Sequence, residues 1–142
     1  MKIDSVLNYA SSFIGVPYIY GGNNPLTGWD CSGFTCEILK AFGVIHYSED
    51  LNAQALFFRL VKNSPLLEIP VPGSIVFFGK DRASIIHVGL ALSPGVFIES
   101  GGGDSVTNTR QMAELKGAFT RIRPLRKDFV GAILPEYRDV EK

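Results

Sequence analysis

Cys31 and His87 are the residues whose types and settings could carry covalent catalysis in this chain. Cys31 follows a stretch rich in Gly, Asn and Pro (17–30) and opens an apolar-periodic run, in the order Gly28-Trp29-Asp30-Cys31-Ser32-Gly33. A helix start presents unpaired backbone N–H groups and the positive end of the helix dipole. Both favour a thiolate, the nucleophilic form of cysteine. Gly33, one turn in, is expected to leave room for a substrate chain near the sulfur. The bland alternative is a buried structural thiol, the usual fate of a cysteine. His87 shifts the balance. It sits in Ile85-Ile86-His87-Val88-Gly89-Leu90, an apolar strand where an imidazole needs a hydrogen-bond partner. A cysteine hydrolase supplies that partner as the nucleophile, with a third group orienting the base.

Glu99 is the first candidate for that third group, in Phe97-Ile98-Glu99-Ser100. If the segments around Ser93-Pro94 form a hairpin, Glu99 lies beside His87 and can accept its second N–H. Asp104, beyond the triple glycine 101–103, is the alternative. The other histidine, His46, stands among Tyr47, Ser48 and Glu49 in an inter-helical loop and reads as a surface residue. Cys36 lies five residues from Cys31, on another face of the same helix, so the two cannot form a disulfide. Two thiols with no further cysteine do not make a zinc framework either.

These residues need elements to position them. Apolar spacing predicts helices over 4–15, with Asp4 as N-cap, over 31–42, and over 51–61. After the turn Val71-Pro72-Gly73, apolar runs predict strands over 74–79, 84–92 and 95–100, and later over 106–110 and 118–123. Helices followed by an antiparallel meander define an α+β layout, one sheet packed on a helical layer. A length of 142 residues fits a single domain, 1–142. Its core is expected over about 4–123, with a tail, 124–142, that docks an apolar patch and then frays.

Zero formal net charge gives no bulk field towards nucleic acid or an anionic membrane. The basic residues that thicken late (Arg110, Lys116, Arg121, Arg123, Arg126, Lys127) are interspersed with acids and read as a solvated face. No stretch is apolar enough to insert in a bilayer. The amphipathic start is not a signal peptide, so the chain is expected to be cytoplasmic as synthesised. A substrate outside the membrane then requires something else to deliver the chain or lyse the cell.

Taken together, Pro17-Tyr18, Tyr20-Gly21-Gly22, Asp30-Cys31-Ser32-Gly33-Phe34, Pro72-Gly73-Ser74-Ile75-Val76-Phe77-Phe78, His87-Val88-Gly89 and Phe97-Ile98-Glu99 resemble the NlpC-type cell-wall cysteine peptidases in identity and order. The resemblance implies a papain-like α+β fold, with the nucleophile at a helix N-terminus on a small antiparallel sheet. It implies hydrolysis of an amide in peptidoglycan stem peptides, commonly between D-glutamate and the diamino acid. The catalytic residues are then Cys31, His87 and Glu99, and Tyr18, Asp30 and Ser32 meet substrate, with no metal or cofactor. Gln54 matches a recurrent glutamine to which no role attaches. Two positions depart from the family: Glu99 stands where His, Asn or Gln is usual, and Ile45-His46-Tyr47-Ser48 replaces a Leu-Pro-Arg-Thr-like turn. The rival readings are an amidase or acyltransferase using the same dyad, and a non-catalytic phage tail or structural module.

Overall fold

The computed structural model describes residues 2–138. In chain order its elements are α1 (Lys2–Ser11), β1 (Asn23–Asn24), β2 (Gly28–Trp29), α2 (Cys31–Ala41), α3 (Ala53–Val61), β3 (Leu66–Leu67), β4 (Ile75–Gly79), β5 (Ile85–Ser93), β6 (Val96–Gly101), α4 (Arg110–Lys116), β7 (Phe119–Pro124) and β8 (Phe129–Ile133). The main sheet has six strands in the order β3-β8-β4-β5-β6-β7, and each neighbouring pair is antiparallel. This is the α+β layout expected from the order of apolar patterns. No helix among the described residues is long and apolar enough to cross a membrane.

Strand alternation divides the buried residues between the two faces of the sheet. On one face Phe77, Val88, Leu90 and Ile98 meet Phe34, Ile38 and Leu39 of α2 and Leu56 and Leu60 of α3, forming the larger core. On the other, Val76, Phe78, Ala91, Phe97 and Ala132 form a thinner cluster under Leu125 and Phe129. Burying a side chain of this size contributes roughly 1.5–3 kcal/mol, so the helical face dominates stability. Trp29 is fully buried. Its indole N–H donates to Thr120 Oγ1 at 2.8 Å, and Ser100 Oγ donates to its carbonyl at 2.8 Å. These bonds tie the loop before Cys31 to β6 and β7.

Three sequence expectations are corrected. First, α1 begins at Lys2, so Asp4 lies in its first turn, where a negative charge complements the dipole, and is not the cap. The helix also stops at Ser11, short of Gly15. Second, 106–110 is not a strand. Asp104 Oδ1 accepts from Val106 N and from Thr107 Oγ1, and Thr109 caps α4 by accepting from Met112 N. Short polar side chains here bond the local backbone and outcompete a ladder. Third, the core does not end near 123. The apolar patch expected to dock is β8, hydrogen-bonded between β3 and β4, with Ala132 buried on one face and Ile133 on the other. Burial continues to Tyr137, whose hydroxyl donates to the Gly73 carbonyl at 2.7 Å. The expected fraying falls partly on 139–142, which lie outside the described residues.

Candidate active site

Asp30 builds the start of α2. It has extended backbone, and its Oδ1 accepts from Gly33 N at 2.8 Å and from Ser32 Oγ at 3.1 Å. Its Oδ2 accepts from Gly21 N at 3.2 Å. One carboxylate therefore caps the helix that carries Cys31 and pins the glycine-rich loop to it. Gly33 does not open space for substrate, contrary to expectation. A Cβ there would collide with the carbonyl oxygen of Gly22, so the loop itself fills that space. Close backbone approach, and not access, is what glycine supplies at this position.

His87 is aimed by an irregularity in β5. Phe78 pairs with His87 but Gly79 pairs with Ile85, leaving Ile86 as an extra residue. Without that bulge, Ile85 and His87 would share a face. With it, Ile85 joins the helical core, Ile86 is exposed, and His87 turns to the opposite face with Phe97 and Glu99. Gln54 secures the bulge: its Oε1 accepts from Ile85 N at 2.8 Å and its Nε2 donates to the Arg82 carbonyl at 3.0 Å. Gln54 thus gains the role its sequence position did not reveal.

The site is a continuous row of polar groups. His87 Nε2 bonds Glu99 Oε1 at 2.5 Å, and the imidazole also hydrogen-bonds Cys31, necessarily through its other nitrogen. The Phe78 and Phe97 rings flank it at centroid distances of 5.6 and 6.2 Å. Glu99 Oε2 accepts from Arg121 Nε at 2.9 Å. A Cβ at Gly101 would strike that carboxylate, so the glycine after Ser100 clears space for Glu99. Burial alone would disfavour the imidazolium, but hydrogen bonds and charge at Cys31 and Glu99 outweigh it and raise the His87 pKa to about 9. Burial likewise acts to raise Glu99, yet bonding to His87 and Arg121 holds it below the usual carboxylate value.

The structure brings together Cys31, His87 and Glu99, with Tyr18, Asp30 and Ser32 around the sulfur. Tyr18 is half-buried beside Cys31. Burial, then the negative charges of Cys31 and Asp30, push its phenol up to about 12, so it remains a neutral hydrogen-bond donor. Asp104 is not the orienter: it is exposed and paired with Lys116 at 2.8 Å, while Glu99 holds the imidazole. His46 is also elsewhere, bonded to Ser48. Cys36 is buried with its thiol on the Leu51 carbonyl, and burial raises its pKa to about 11. Of the late basic residues expected as a solvated face, Arg110, Lys116, Arg123, Arg126 and Lys127 are exposed, but Arg121 is partly buried on Glu99; its place in the row was missed by sequence reading, and it lines the cleft with Arg123 and Arg126. The signal was present in the alternation Thr120-Arg121-Ile122-Arg123, which sets Arg121 opposite Glu99 once β6 and β7 are paired. Among the described residues, no cluster of three or more His, Cys, Asp or Glu side chains could hold a metal ion.

Glu99 gives a direct test of the row. Glu99→Gln keeps an acceptor and removes the charge, so the basic limb of the pH–rate profile shifts below its wild-type position with a modest loss of rate. Glu99→Ala removes the acceptor as well and costs on the order of 10–100-fold. An unchanged basic limb in both variants takes Glu99 out of the site.

A thiol at a helix start and an imidazole from an antiparallel strand define the papain-like class, with the carboxylate of Glu99 in the place of the third polar group. Within it, the chain belongs to the NlpC/P60 family, whose model matches residues 15–126. Its curated relatives include a gamma-DL-glutamyl hydrolase of Bacillus subtilis (strain 168), 29% identical over 103 residues, or 72% of this chain and 24% of that protein. Another is a gamma-D-glutamyl-L-lysine dipeptidyl-peptidase of Bacillus cereus (strain ATCC 10987 / NRS 248), 32% identical over 99 residues, or 68% of this chain and 28% of that protein. The chain spans about a quarter of the length of these two relatives. Among solved structures, the P60 domain from M. avium subspecies paratuberculosis antigen MAP1204 has the same fold. It gives a TM-score of 0.68 at 20% identity, covering 99% of this chain and 96% of that one.

Proposed function

We propose that this chain is a cysteine endopeptidase that hydrolyses an amide in bacterial peptidoglycan stem peptides. The observation that carries the proposal is the unbroken row Cys31–His87–Glu99 opening on a cleft of about 490 Å³. Family membership supports it, and the γ-glutamyl bonds in the names of two relatives favour the bond on the D-glutamyl γ-carbonyl. His87 takes the proton of Cys31, the thiolate attacks the amide carbonyl, and a thioacyl-enzyme forms as His87 protonates the leaving amine. His87 then activates water to release the acid. Backbone N–H groups at the start of α2 and the neutral Tyr18 hydroxyl are placed to meet the oxyanion. On the acyl side, Asp30 and Ser32 contact substrate.

Mass spectrometry of muropeptides after digestion tests this reading. The expected products are two fragments separated at one stem-peptide amide, with a new free amine on one of them. Intact muropeptides after prolonged incubation with reduced protein would sink it. Transfer of an acyl group to an added amine, without hydrolysis, would point to the acyltransferase alternative.

A further inference from the structure

Two open spaces meet at the sulfur. One, of about 490 Å³, has His87 in its wall, and the other, of about 380 Å³, contains Asp30 and Ser32. Cys31 and Tyr18 line both. The acid that protonates the leaving amine must touch it, so the leaving group occupies the space that His87 lines. The acyl portion then lies in the other.

The far wall of the leaving-group space is made by β7 and the residues after it. Glu99 pairs with Arg121 and Phe97 with Arg123 across β6 and β7, so strand alternation puts both arginines on the face that carries Glu99. Arg126 completes the wall. The ionisable side chains here have partners, with one exception. His87 is held by Cys31 and Glu99, and Arg121 is paired with Glu99 at 2.9 Å. Arg126 is matched by Asp128 through Nε at 2.9 Å and Nη2 at 2.7 Å, and it also lies over the Phe78 ring. Among the described residues, no ion pair or hydrogen bond engages the Arg123 side chain, which is exposed to the cleft.

We propose that Arg123 anchors a free carboxylate on the leaving-group residue, so that the preferred scissile amides are those whose amine-side residue keeps an unsubstituted carboxyl group. This specificity rests on the hydrolase reading above. A guanidinium presents parallel donors that match a carboxylate bidentately. Inside a cleft the pair is screened less than one on an open surface. The neighbouring arginines already have a carboxylate partner each, Glu99 for Arg121 and Asp128 for Arg126, which leaves Arg123 as the cation whose charge is unmatched.

The probes are L-alanyl-γ-D-glutamyl-L-lysine with a free C-terminal carboxyl group and the same peptide as its C-terminal carboxamide. Binding is measured on Cys31→Ala protein, which cannot turn over, and kcat/KM on the wild type. The free acid is expected to bind and react about tenfold better than the amide, the effect of one charge-assisted pair. Adding Arg123→Gln should shrink both ratios below about twofold. Lys127→Gln, the same charge change outside the cleft, should leave them near tenfold. Equal or undetectable binding of the two peptides, or a preference that survives Arg123→Gln, overturns the anchor. A binding preference without hydrolysis upholds the anchor and removes the hydrolase reading, and hydrolysis without a preference does the reverse.

Discussion

Cys31→Ala abolishes hydrolysis while the protein stays folded. The loss should be about 10⁴-fold or more, because the variant retains only binding and the oxyanion donors. Folding survives because the Cys31 side chain is only partly buried, and the cap that builds its helix is made by Asp30 and Gly33. The unfolding midpoint should therefore move by no more than about 3 °C, within the range of a small surface change. Cys36→Ser is the matched control. Its thiol faces the Leu51 carbonyl on the other side of the helix, a hydroxyl can make the same bond, and most activity should remain. The Cys31 variant also has a signature in the base. Hydrogen bonding and charge at Cys31 are two of the causes that raise His87, so the imidazole should titrate lower once the sulfur is gone, read by NMR. Full activity in Cys31→Ala ends the mechanism outright.

Chemistry was more legible in the sequence than geometry, for physical reasons. Asp30-Cys31-Ser32-Gly33 announces itself because the nucleophile follows a glycine-rich loop and opens an apolar-periodic run, whereas the cap at Asp30 and the close approach at Gly33 emerged only from the structure. His87 stood out as an imidazole in an apolar strand, and the structure adds why Gly89 follows: a Cβ there would meet the Phe97 ring that flanks the imidazole. Helices α2 and α3 were readable from 3.6-residue periodicity: α2 starts where expected and stops one residue early, at Ala41, and the cap at Asn52 moves the start of α3 from 51 to Ala53. Long-range pairing was not readable. The run Phe129-Val130-Gly131-Ala132-Ile133 looks the same whether it docks on a core or inserts in a sheet, and only the partner strands decide. The bulge at Ile86 breaks the two-residue period that would locate His87, and it is stabilised by Gln54 more than 30 residues earlier. Arg121 and Glu99 are 22 residues apart, so their pairing needed the β6–β7 register.

His87→Ala should lower the rate on the order of 10³–10⁴-fold, the scale of a general acid–base contribution acting in both half-reactions. The pH profile distinguishes this from simple damage. In the wild type, the rate should rise at low pH as the thiolate–imidazolium pair forms and fall at high pH as the imidazolium loses its proton, giving a bell whose limbs belong to the pair. The sign of the basic limb follows from the row. Burial would lower the His87 pKa, but Cys31 and Glu99 together raise it to about 9, so the active protonation state survives through neutral pH and is lost as pH climbs through that region. Removing the imidazole removes that limb, and the residual rate should climb with pH as free thiolate accumulates. His46→Ala should leave both limbs in place, since His46 is exposed, bonded to Ser48, and lines neither space at the sulfur. Near-UV circular dichroism checks that the His87 variant keeps its packing, because truncation leaves space between Phe78 and Phe97 and leaves Glu99 with Arg121 as its remaining partner. If the folded His87 variant keeps a bell with the wild-type basic limb, that limb belongs to another group and His87 is not the base.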